Sequence, residues 1–183
     1  MLSGALLDAA IRKVVSRPKR DTFYRAMLVK HVNDPLGKLR PISANRFNVA
    51  GGARVLYLAE QITTALREVQ AFGFPQRSVA IVPVQVDLRA VVDLHDWNTL
   101  AILQLTKNEL SANFRSSGPG ASPTPTQELG ECAAASGCVD GFIFESLALP
   151  GTINLAVFEA NLRGLSASLS VNDPANNLHA TLP

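Results

Sequence analysis

Apolar positions recur at helical spacing near the start of the chain, where Leu6, Leu7, Ala10, Ile11, Val14 and Val15 predict a helix over residues 4–16. Arg17-Pro18-Lys19-Arg20 is expected to end it. From Thr22 to Val29 the period changes to two. Phe23, Arg25, Met27 and Val29 alternate with Tyr24, Ala26 and Leu28, as in a strand. Arg25 therefore shares a face with Phe23 and Met27, and a guanidinium there needs an anionic or carbonyl partner, because burying it unpaired is costly. Residues 33–44 are expected to be loop, with Asp34-Pro35-Leu36-Gly37 as a turn.

Further along, Arg54–Ala59 is expected to be a strand running into a helix over 60–72, with Ile62, Leu66 and Val69 as its apolar stripe and Gly73 and Pro75 as its end. A Val/Ile-rich strand follows over 78–88, extended by 91–94, and a helix over 98–112. Residues 116–140 contain Gly118, Pro119, Gly120, Pro123, Pro125, Gly130 and Gly137, the composition of a long loop with one helical turn at most. Strands are expected over 139–145 and 152–159, a weak edge strand over 165–171, and a tail over 172–183.

Six strands and three helices without regular βαβ alternation predict an α+β fold: a bent mixed β-sheet core with flanking helices. One domain over 21–171 is expected, preceded by a helix and linker over 1–20. There is no GxGxxG or GxxxxGK[ST], and Gly51-Gly52 precedes a strand, the reverse of the order those phosphate loops require.

Composition supports a packed domain: 47% of residues are hydrophobic and 17% charged. No apolar run reaches the roughly 18 residues of a membrane span, and the N-terminal segment, with Asp8 inside its apolar part, is a poor signal peptide. The cytoplasm is the expected compartment, with Cys132 and Cys138 as free thiols. His31, His95 and His179 lack ligand spacing, so no metal is expected. Charge is lopsided. Residues 1–77 hold 13 Lys/Arg against 5 Asp/Glu, while 78–183 hold 4 against 10. A basic first half suits an anionic ligand, but without a basic stripe carrying interleaved aromatics it does not suit direct nucleic-acid binding. Arg46, Arg54, Tyr57 and Glu68 concentrate around one glycine-containing turn and the strand–helix corner after it. That grouping fits a ligand bearing phosphate and sugar. From the residues alone, Glu68 is an ordinary exposed helix glutamate.

Several landmarks follow one another in a specific order: Tyr24-Arg25, Arg46-Phe47-Asn48 with Gly51-Gly52, Val55-Leu56-Tyr57-Leu58-Ala59, Thr64-Ala65-Leu66-Arg67-Glu68, Pro125-Thr126-Gln127-Glu128-Leu129-Gly130, Asp140-Gly141-Phe142, Ser146, and Asn154-Leu155-Ala156-Val157-Phe158. In this order the chain resembles the RES-domain family, toxins of bacterial Xre–RES toxin–antitoxin pairs. The arginine, glutamate and serine for which the family is named look like Arg25, Glu68 and Ser146. The resemblance implies a fold related to ADP-ribosyltransferases, NAD as substrate, and a cognate Xre-type helix-turn-helix antitoxin covering the site. It implies NAD hydrolysis or phosphorolysis, with protein ADP-ribosylation of an acceptor as the alternative. A non-catalytic nucleotide-binding domain is a further alternative, disfavoured by the three residues occurring together.

On that reading Glu68 stabilises the oxocarbenium-like ribose left when nicotinamide departs. Arg25 and Arg46 hold pyrophosphate through forked hydrogen bonds, and Tyr57 stacks on nicotinamide. Tyr24, one residue from Arg25 on an alternating strand, is expected on the opposite face, so that only one of the two, Arg25 for preference, points directly into a shared pocket. Tyr24 is nonetheless counted with Arg46, Tyr57 and Gln127 among the candidate cofactor-binding residues. Ser146 is expected to hydrogen-bond ribose or phosphate, and Gln127 to belong to a lid.

Overall fold

The structure is a computed structural model that describes residues 2–38, 42–71, 79–112, 122–162 and 167–182. Its longest strand, β3 (Val79–Asp93), pairs antiparallel along almost its whole length with β1 (Ser16–Leu28). The remaining strands are β2 (Val55–Ala59), β4 (Gly141–Glu145), β5 (Ile153–Phe158), β6 (Ser168–Asp173) and β7 (Leu178–Leu182). They form one sheet in the order β1-β2-β5-β4-β3-β6-β7. Because β1 also pairs with β3, the first five strands of that order close into a ring. The β3–β4 pair is parallel and the others antiparallel. The sheet is thus mixed and sharply bent, in the expected α+β class.

Closure of the ring divides the core into two apolar layers. Phe23, Met27, Leu56, Leu58, Leu155 and Val157 belong to one, together with alternate valines of β3. The other joins Phe47, Phe142, Phe144, Ala156 and Phe158 to helices α1 (Gly4–Ile11), α3 (Trp97–Leu103) and α5 (Pro125–Ser136). Successive residues of β5 therefore enter different layers, which explains its nearly unbroken apolar run. Helix α2 (Ile62–Ala71) lies over β1, and α4 (Lys107–Leu110) is a single turn.

Several local expectations change. The first helix ends at Ile11, and residues 17–20 do not break the chain but open β1. Pro18 has no N–H to give a ladder, and the register shifts between Arg17 and Lys19, so the strand continues through a bulge. The helix expected over 98–112 divides at Gln104, whose left-handed backbone (φ 52°) ends α3 before Thr106 caps α4. The long loop over 116–140 contains the 12-residue α5. Thr124 and Gln127 form its capping box, Pro125 fits its first turn, and Gly137 closes it at φ 66°. The presumed tail carries β7, so β6 lies between β3 and β7 and is not an edge. Gly73 and Pro75 lie outside the described residues.

The basic and acidic halves of the chain also meet. Arg20 pairs with Asp87 and Arg54 with Glu159, while Arg89, one of the few cations of the second half, pairs with the fully buried Asp140 of the same half. Part of the lopsided charge is therefore neutralised by folding, and Arg54 belongs to this structural set.

Candidate active site

Where β1 and β2 diverge they are joined at one pair, Tyr24 with Ala59. A cavity of about 630 Å³ opens there, between the strand edge, α2 and the Ser43–Arg46 segment. Tyr24, Arg25, Arg46, Tyr57 and Glu68 all line it. The alternation rule placed Tyr24 away from Arg25, but an edge facing a cavity presents both of its sides, and residues 24–26 all border the space.

Glu68 projects from α2, which follows β2 after a short turn and packs on β1. Its Oε1 accepts two hydrogen bonds, from Ser146 Oγ at 2.7 Å and from Asn154 Nδ2 at 2.6 Å. Its Oε2 has no hydrogen bond among the described residues. Ser146 is fully buried and its hydroxyl is committed twice, donating to Glu68 and accepting from the Leu149 N–H at 3.0 Å. The serine thus reaches the cavity through Glu68 and does not line it itself.

Arg46 is held more tightly than a loop arginine usually is. Only 7% of it is exposed, its guanidinium lies 4.9 Å above the Phe144 ring, and it donates to the Glu145 carbonyl at 3.1 Å. Burial pulls its pKa below the ordinary arginine value, while the charge of Glu68 and the Tyr57 phenol push it back up. It remains a cation under any physiological condition. Arg25 donates to the Pro35 carbonyl at 2.6 Å, which ties the floor of the cavity to the Asp34–Gly37 turn. The Tyr57 hydroxyl is engaged on both sides, accepting from the Phe47 N–H at 2.8 Å and donating to Asn48 Oδ1 at 3.0 Å. Burial drives its pKa far up, so the phenol stays neutral. Its ring is thereby fixed as part of the cavity wall.

Gln127 is elsewhere. Its side chain is 1% exposed inside the α5 capping box, and its Nε2 donates to the carbonyls of Asn45 at 3.1 Å and Asn48 at 3.4 Å. It braces the loop that carries Arg46 from behind, and it is no part of the lining. One turn later, Glu131 accepts from the Val49 and Ala53 N–H groups, both at 3.0 Å. Asn154, Asn45 and Phe144 line the cavity without having been singled out for it. For Asn154 a signal existed: an amide on the apolar strand Ile153–Phe158 poses the same question that Arg25 does on β1. Among the described residues, no group of three or more His, Cys, Asp or Glu side chains could hold a metal ion.

With this geometry established, three comparisons bear on identity. A family model described as the RES domain matches residues 22–179. The chain belongs to the RES-domain family. Its fold is shared with a crystal structure of the M. tuberculosis MbcT–MbcA toxin–antitoxin complex, at a TM-score of 0.67 and 19% identity, over 94% of this chain and 95% of that one. No curated protein matches the chain. The RES match begins within β1 and ends within β7, so every residue lining the cavity falls within the matched span, while α1 of the second apolar layer and Leu182 of the first lie outside it. Among the described residues, no helix of this RES domain is long and apolar enough to cross a membrane.

Proposed function

We propose that this RES domain is the toxin of a toxin–antitoxin pair and that it cleaves the nicotinamide–ribose bond of NAD. The observation that carries the reading is Glu68: a carboxylate on the cavity wall, with one oxygen fixed by Ser146 and Asn154 and the other unbonded among the described residues, near a buried arginine. The C1′–N bond breaks with its electron pair leaving on nicotinamide, which departs neutral and needs no general acid. The ribose left behind carries positive charge, which a fixed carboxylate on the cavity wall stabilises. Water or phosphate then attacks C1′, and its proton passes to the carboxylate and on to solvent. Arg46 and Arg25 supply cationic donors suited to the pyrophosphate. The Tyr57 ring, held by its own hydroxyl, offers a flat apolar face to the nicotinamide.

The partner reading rests on the family and on the toxin–antitoxin complex whose fold this chain shares. Leu147, 48% exposed, belongs to the cavity lining and provides an apolar contact for an Xre-type antitoxin that covers the opening. Expression without an antitoxin is expected to arrest growth and lower cellular NAD, and Glu68→Ala to relieve both. Growth arrest at constant NAD would refute NAD depletion as the cause. Incubating the pure protein with NAD, with and without phosphate and with a cell extract, assigns the acceptor. ADP-ribose indicates hydrolysis, ADP-ribose-1″-phosphate indicates phosphorolysis, and a labelled protein band indicates ADP-ribosyl transfer.

A further inference from the structure

Asn154 lies in the middle of the ring, opposite Ala59 of β2 and Phe144 of β4. It is 5% exposed and flanked by Ile153 and Leu155 in an otherwise apolar strand. A carboxylate only accepts hydrogen bonds, so the contact of 2.6 Å to Glu68 fixes which way the amide points: the NH2 group toward Glu68, the carbonyl oxygen away. That orientation has a cost. Asn154 Oδ1 is buried with no hydrogen-bond partner among the described residues, and an unsatisfied buried acceptor is destabilising. An apolar residue at this position would avoid the cost, and what the amide provides in exchange is its donor to Glu68.

We infer that Asn154 is a positioning residue for Glu68: its amide and the Ser146 hydroxyl together lock one carboxylate oxygen and so present the other to the substrate. The two donors come from the β4–β5 hairpin and from the turn that joins its strands, whereas Glu68 comes from α2. The helix carboxylate is therefore registered against the sheet by two bonds that converge on a single oxygen. One bond would leave the carboxylate free to swing about it, and two fix its plane. With Oε1 doubly engaged, Oε2 retains the electron density that faces the developing charge on ribose. This role rests on the proposal that Glu68 is the working carboxylate, and the experiment separates the two.

Steady-state NAD cleavage is measured for wild type, Asn154→Ala, Asn154→Asp and Glu68→Gln, with thermal unfolding recorded for each. Asn154→Ala removes the donor without adding charge. Its kcat is expected to fall about tenfold to a hundredfold, the loss associated with misplacing a reacting group by about 1 Å, while KM stays within about threefold of wild type. The isosteric Asn154→Asp sets a second carboxylate against Glu68 and is expected to lose more of kcat than Asn154→Ala. If Asn154→Asp does not fold, Asn154→Ala decides. A kcat within about twofold of wild type for Asn154→Ala, or a raised KM at unchanged kcat, overturns the positioning role. Glu68→Gln at wild-type turnover would instead overturn the reading of Glu68 on which the role depends.

Discussion

Tyr57 lines the cavity with its ring while its polar end is turned into the surrounding structure. Its hydroxyl bridges the Phe47 N–H and Asn48 Oδ1, so the ring is immobilised by the same loop that carries Arg46. Tyr57→Phe keeps the ring but leaves a buried N–H and a buried amide oxygen unpaired. It is expected to destabilise the protein by about 1–3 kcal/mol, read as a lower midpoint in urea unfolding. An unchanged midpoint would show that water or another group takes over both partners. At this scale the sequence was informative wherever polarity broke an apolar pattern. Arg25 on a strand face and Arg46 before a strand both stood out, and both line the cavity. Glu68 did not, because a glutamate on an amphipathic helix is ordinary. What singles it out is two donors more than seventy residues away in sequence, a relation that no local pattern contains.

Helix α5 is the element that holds the site from behind. Gln127, Gly130 and Glu131 lie at helical spacing on one face, and that face meets the 45–53 loop. At Gly130 the approach is so close that an added Cβ would lie 1.9 Å from the Phe47 carbonyl oxygen. Backbone cannot yield there as a flexible side chain can. Gly130→Ala is therefore expected to cost about 1–3 kcal/mol or more, the range for overpacking, and to lower NAD cleavage by displacing Arg46. Calorimetry together with turnover checks both effects, and wild-type values in both would show that α5 is free to move away from the loop. This helix was also the element least legible in the sequence. Its glycines and prolines match a loop by composition, yet Thr124, Pro125, Gln127 and Gly137 are its cap, first turn, capping-box partner and terminator. Residues that punctuate a helix and residues that replace one are the same types, and only their spacing tells them apart.

For the whole molecule, the strands predicted by period two were found, but how they close was not predictable from them. The ring depends on β1 pairing with both β2 and β3, and β2, β4 and β5 are short apolar runs with no indication of their neighbours. The last strand was missed because Leu178-His-Ala-Thr-Leu182 follows a Pro/Asn-rich stretch and carries only two large apolar residues. Both are buried in the layer that contains Leu169 and Val171. Ending the chain after Asp173 would remove Leu178 and Leu182 and expose the edge of β6. The expected loss is about 3–6 kcal/mol at roughly 1.5–3 kcal/mol for each buried leucine, a large fraction of a typical domain's stability. Thermal unfolding of the truncated protein tests this, and a transition like that of the full chain would show residues 174–183 to be dispensable.

These scales meet in the proposed reaction: the β4–β5 hairpin and its turn supply Asn154 and Ser146, α2 supplies Glu68 against them, and α5 braces the loop that carries Arg46. The most direct test is nicotinamide release from NAD by purified wild type, Arg46→Lys and Glu68→Gln proteins of equal thermal stability. Wild type is expected to release nicotinamide catalytically. Arg46→Lys, which loses the forked geometry and the contact with Phe144, is expected to raise KM by about tenfold or more, since one charge-assisted hydrogen bond contributes about 1.5–3 kcal/mol. Glu68→Gln is expected to lose kcat by about a hundredfold or more. Absence of nicotinamide release by folded wild type, or wild-type turnover by Glu68→Gln, would contradict the assignment.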